Sequence, residues 1–185
     1  MTITNKQNKL SLAVTDHNSN RQSLVFHHLN EIQVDEFLRL TLDELRLVAL
    51  GSNQLKQAKS YIAEHNNKSD RLEIFVNNDK SIISYEAFDI IVSDPCLVRA
   101  KIQSRHRDQV KYHLYILIDN GLSGKPAIKE YCCQCKNGLR TVGCCAHVMS
   151  ILWYLGFCRF NNNFDFPASF LDDVTVILES EDEIE

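Results

Sequence analysis

The sequence predicts an α+β domain with an N-terminal helical hairpin, a small antiparallel β-ribbon and a C-terminal helix, with flexible ends. Three observations lead there. Apolar residues recur at helical spacing between Thr41 and His65, alternate with polar ones between Val110 and Asp119, and return to helical spacing after a cysteine-rich stretch, from Val148. Over 185 residues, 44% hydrophobic and 24% charged content is ordinary for a chain that builds a core. A fully disordered reading fails.

The elements are taken in chain order. Residues 1–30 are polar, without a sustained period, and read as a flexible lead. Residues 31–96 read as a helical and mixed accessory region. Its first helix opens at Thr41, a good N-cap with Asp43 and Glu44 in the first turn, and ends near Gly51. A second opens at Ser52 or Asn53, buries Leu55, Ala58, Tyr61 and Ile62, and stops at the HNNKSD segment. The pieces LEIFV and SIISYEAFDIIV lean toward strand.

Residues 97–160 carry the ribbon and a cysteine-rich segment that leads into the last helix. Val98, Ala100 and Ile102 alternate with Arg99, Lys101 and Gln103, and Val110 to Asp119 repeats the pattern, with SRHRDQ as the hairpin turn. One face is expected in the core. The other exposes Arg99, Lys101, Arg105, Arg107 and Lys111. After a turn containing Gly121 and Gly124, AIKEYCCQC extends again, and Val148, Ile151, Leu152 and Leu155 mark the last helix. Residues 161–185 hold eight acids and no base, an acidic tail.

Net charge is −4, yet Arg99 to Phe160 holds ten Lys and Arg against three acids. The chain is therefore dipolar. A basic segment with tyrosines nearby, Tyr115 and Tyr131, suits a phosphate-bearing partner, with Arg140 a further contact. The alternative partner is a protein docked on Met149, Trp153 and Phe157. No apolar run reaches the ~20 residues that cross a bilayer, and the start lacks a secretory h-region, so an intracellular, reducing location is expected.

In a reducing compartment cysteines serve as thiols or metal ligands more often than as disulfides. Five of the seven cysteines and one histidine fall within the sixteen residues from Cys132 to His147. Thiolate and imidazole are the donors zinc prefers, and two short ligand pairs joined by a turn can enclose it, with Gly138 and Gly143 easing the turn. Two parses are open. One pairs Cys133 and Cys135 with Cys145 and His147, the other Cys132 and Cys135 with Cys144 and His147. Cys96 and Cys158 are isolated in apolar context and read as small core residues. His27, His28, His65, His106 and His113 have no ligand company.

The pattern C-x-C-x9-C-x-H followed at once by a hydrophobic helix resembles the SWIM-type zinc finger. With QLKQAKSYIAEH, RAKIQSRH and the K-Y-H-L strand, residues 41–159 are similar to the SWIM-bearing proteins of animal mobile elements, relatives of Mutator-like transposases. That resemblance implies Cys133, Cys135, Cys145 and His147 as zinc ligands, a DNA-binding role and a nuclear location. A closed four-ligand site implies structural zinc. Catalysis is not expected: Asp89, Asp94 and Asp119 can be imagined as a metal triad, but Asp94 precedes a proline and Asp119 opens a turn, where acids serve the backbone. A folded piece of about 60 residues has a small core, which zinc would staple.

Overall fold

The computed structural model describes residues 8–19, 24–29, 37–50, 52–65, 72–79, 83–104, 109–138 and 143–161. Among them are four α-helices, α1 (Lys9–Ser19), α2 (Leu42–Ala49), α3 (Asn53–His65) and α4 (Ala146–Gly156). Five strands, β1 (His27–His28), β2 (Leu72–Asn77), β3 (Pro95–Gln103), β4 (Lys111–Asp119) and β5 (Ile128–Cys133), form one antiparallel sheet in sequential order. The α+β class holds, and the expected ribbon of β3 and β4 is the centre of a wider sheet. Residues 162–185, and with them the acidic run, lie outside the described residues, as do Arg105, His106 and Arg107.

Local chemistry explains the hairpin. The Thr41 hydroxyl accepts from the Glu44 amide at 3.2 Å and the Glu44 carboxylate accepts from the Thr41 amide at 2.8 Å, a reciprocal capping box. The other Glu44 oxygen accepts from the Lys125 amide at 2.8 Å, so one carboxylate ties the cap of α2 to the turn before β5. These donors hold the Glu44 carboxyl below its ordinary range. At its far end α2 stops on Leu50, which takes a left-handed conformation (φ 53°) and donates its amide to the Arg46 carbonyl. Helix α3 then buries Leu55, Ala58, Tyr61 and Ile62, the face its sequence predicts.

The main core lies between one sheet face and α2, α3 and α4. Val98, Ala100, Ile102, Leu114, Ile116 and Ile118 meet Leu45, Ile62, Ile151, Leu152 and Trp153 there. The expectation of a single buried face is corrected. Leu97 and Leu117, on the opposite face, are 1% and 0% exposed and pack with Leu10, Ala13 and Val14 of α1. Helix α1 in turn corrects the reading of a lead without periodic structure. Its apolar residues at i, i+3 and i+4 are so diluted by polar neighbours that composition hides them. Asn8 caps it, accepting from the Ser11 amide at 3.1 Å while donating to the Tyr131 carbonyl of β5 at 2.9 Å. The expected extension around residues 85–88 is a 3₁₀ turn, Tyr85–Phe88, ended by Asp89 at φ 55° and burying Ile83, Tyr85 and Ile90 in this second core.

Asp119 also departs from expectation: it is buried (2% exposed) where an outward position was expected. Its Oδ1 accepts from the Asp94 and Gly121 amides at 3.0 and 3.1 Å, and its Oδ2 from the Ser93 amide at 3.0 Å. Lys129 Nζ stands 3.5 Å away. Burial alone would raise its pKa, but the donors outweigh it and bring the group down to about 2 from 3.8. The carboxylate latches the turn before β3 to the turn after β4. Because the folded-state value is depressed, its stabilisation is present above the unfolded value and vanishes as pH falls through the folded one. Acid titration monitored by circular dichroism should show roughly 2 kcal/mol lost between pH 3.8 and about 2. Asp119→Asn should remove that part of the pH dependence.

Candidate metal centre

Strand β5 ends at Cys133, and the chain then turns back on itself. The Gln134 amide still donates to the His113 carbonyl of β4 at 3.0 Å, while the Gly138 amide donates to Cys135 Sγ at 3.0 Å. A side chain at Gly138 would place Cβ 2.7 Å from the Cys133 carbonyl oxygen and 2.9 Å from its Cβ, so only glycine lets the turn close over the two sulfurs. The chain re-enters at Gly143, whose φ of 85° again suits glycine and which lies against the Ala49 carbonyl at the end of α2. Cys145 is the N-cap of α4, and His147 sits in that helix's first turn.

Cys133, Cys135, Cys145 and His147 converge: one donor atom from each lies within 4.8 Å of every other, and all four residues are buried. A tetrahedral site with metal–sulfur bonds of about 2.3 Å has edges of about 3.8 Å. Cys133 Sγ and His147 Nδ1 stand 3.8 Å apart. Among the described residues this is the group whose geometry could hold a metal ion. The four are those implied by the C-x-C and C-x-H parse. Cys132 points from β5 to the second core beside Tyr115, and Cys144 is buried in the main core outside the cluster. Burial pushes both of these thiols up to about 12, keeping them neutral.

The sulfurs of the cluster behave differently. Cys135 is driven far below the ordinary thiol range because Cys133 first, and then Cys145, His147 and the Gly138 amide, donate to it. Cys133 is driven far up by sharing its proton with Cys135 and Cys145, aided by burial. At Cys145 the hydrogen bond from Cys133 pulls down, but that to Cys135 and burial outweigh it and set the thiol at about 11. Cys135 is thus the sulfur that takes the negative charge, with Cys133 and Cys145 as its hydrogen-bond donors. A dication in their midst would let all three ionise, leaving one net negative charge on a three-thiolate site.

The basic residues are arranged less simply than their alternation suggests. Arg99 lies between rings, 4.2 Å from the Phe26 centroid and 4.7 Å from that of Phe75. Lys101 and Lys111 both reach Glu73 of β2 at 3.5 Å. These residues occupy the part of the sheet's second face that α1 leaves uncovered. His113 beside them has its pKa lowered by burial and then by Lys101 and Arg99. With Arg99, Lys101 and Lys111 set against Glu73, the patch carries an excess of positive charge. Arg140 lies outside the described residues. The apolar docking face is corrected: Met149 and Trp153 are 0% exposed and belong to the core, with Phe157 packed against it. Asp119 is occupied by its own chain's donors, and Asp89 pairs with Lys9. No helix among the described residues is long and apolar enough to cross a membrane.

Cys135→Ser and His147→Ala are each expected to abolish stoichiometric metal and to melt this half of the domain, since a structural site supplies on the order of 10 kcal/mol. Cys132→Ser and Cys144→Ser should retain one metal per chain at a cost of about 1–3 kcal/mol for a buried hydroxyl. Elemental analysis with thermal denaturation reads both outcomes. A metal-free Cys144→Ser protein would instead favour the other parse.

Compared with protein-family models, curated proteins and solved structures, the chain matches none.

Proposed function

We propose that this chain is a non-catalytic binding module stapled by structural zinc in a SWIM-type finger, and that its electropositive sheet face binds nucleic acid, DNA foremost. The convergence of Cys133, Cys135, Cys145 and His147 carries the reading. Three thiolates and one imidazole are a donor set that zinc favours over harder cations, and four protein ligands leave no position for a reactive water. Zinc bound there would join the end of β5 to the start of α4. Its part is cohesion, and recognition falls to the chain's own side chains.

Recognition rests on charge. Arg99, Lys101 and Lys111 share one face with the half-buried rings of Phe75 and Tyr115. Glu73 offsets part of that charge and holds both lysines over β2 and β3, so a phosphate would have to draw them from a carboxylate. Such a surface fits moderate affinity with strong salt dependence. The resemblance to mobile-element proteins adds a transposon-derived origin and a nuclear setting to this reading.

Two measurements test it. The zinc content of purified full chain should be one per molecule, with cobalt substitution giving thiolate charge-transfer absorption. Binding to random single- and double-stranded DNA and to RNA should weaken linearly in log–log form with salt, with a slope of about −0.7 to −0.9 per phosphate neutralised. Lys101→Gln with Lys111→Gln should flatten that slope by about two contacts and leave zinc content unchanged. A zinc-loaded protein with no detectable binding at low salt would replace nucleic acid with a protein partner.

A further inference from the structure

Beyond the four donors themselves, a residue 86 positions earlier faces the same imidazole. Tyr61 lies on α3, buried with Ala58 and Ile62 in the core against α4. Its hydroxyl oxygen is 2.9 Å from His147 Nε2, and its ring meets the imidazole edge-on, centroids 5.0 Å apart at 75°. Tyr112 of β4 borders the same ring at 5.1 Å. The other nitrogen, Nδ1, is the one turned to Cys133 Sγ.

We propose that Tyr61 is a positioning residue of the metal centre, fixing His147 as the tautomer that offers Nδ1 to the ion and making metal affinity depend on the docked helical hairpin. The inference rests on the metal-binding reading above. An imidazole that ligates through Nδ1 carries its proton on Nε2. In a buried site that N–H needs an acceptor, since leaving it unmade carries the full cost of desolvation. The Tyr61 oxygen is placed to accept it, as outer partners of ligating histidines commonly do. Such a partner orients the ring and raises the basicity of the ligating nitrogen. Because the acceptor comes from α3, the coupling is reciprocal: the ion favours the docked hairpin by the same factor by which the docked hairpin favours the ion.

Tyr61→Phe in the full chain keeps the ring and removes the acceptor. Competition with a chromophoric chelator should show zinc held about 10- to 100-fold more weakly than in the unaltered protein. The cobalt spectrum should keep its thiolate bands, because the ligands are unchanged. In the unaltered zinc-loaded protein, nitrogen-15 NMR of the His147 ring should find the proton on Nε2 and slow to exchange, and in Tyr61→Phe exchanging faster. Unchanged affinity, within twofold, would overturn the role of Tyr61 while leaving the metal centre standing. So would NMR placing the metal on Nε2, a result that needs no variant to fold. An unaltered chain that takes up no zinc at all would remove the centre and Tyr61's role together.

Discussion

Three thiols and an imidazole held together away from water are a problem of charge. Each sulfur is a better ligand as an anion, yet burial opposes charging all three together unless a cation compensates them. The protein nevertheless brings all four donors to within 4.8 Å of one another. It does so by ending a strand at one pair and starting a helix at the other. The rest of the domain is arranged around that junction. Gly138 folds over the first pair, Gly143 wedges against the end of α2, and α4 is sunk in the core over most of its circumference. Compensation of the sulfurs by a cation would thus hold a sheet edge to the central helix of the fold.

The sheet has two working faces. One is fully committed to α2, α3 and α4. The other is divided: α1 seals the half that carries Leu97 and Leu117, and the remaining half presents Arg99, Lys101, His113 and Lys111. Cations on this half are organised rather than free. Rings bracket Arg99, and Glu73 gathers two lysines. Asp119, at the other end of β4, ties two turns through amide donors, so the face is bounded by a rigid latch at one end. A positive patch on a rigid sheet suits a polyanion, whereas the apolar side chains of α4 are already used internally.

Features set by neighbours in the chain were legible from residue order. The Thr41 cap, the buried face of α3, the alternation of β3 and β4, and the C-x-C and C-x-H pairs all depend on spacings of a few residues. Sequence order could not choose between the two cysteine parses, since both have plausible spacing. The choice lies in strand geometry: successive side chains point to opposite faces, which sends Cys133 to the core and Cys132 away from it. Helix α1 was missed because, among its described side chains, the deeply buried ones are Leu10, Ala13 and Val14, too few to shift its mean character. The same limit hid the second core, since Leu117 among alternating residues reads as outward until something is known to cover it.

What the amino-acid order determined alone is therefore the presence of an α+β domain, the dipolar charge and a compact set of metal-type donors. Tertiary structure decided which sulfurs meet, which cations remain on a surface, that Asp119 is an internal latch, and that Tyr61 stands beside His147. The reason is physical. Propensity, capping and period act over one or two turns of chain, whereas burial and hydrogen-bond partnership are properties of groups that folding brings together from as far as 123 residues apart.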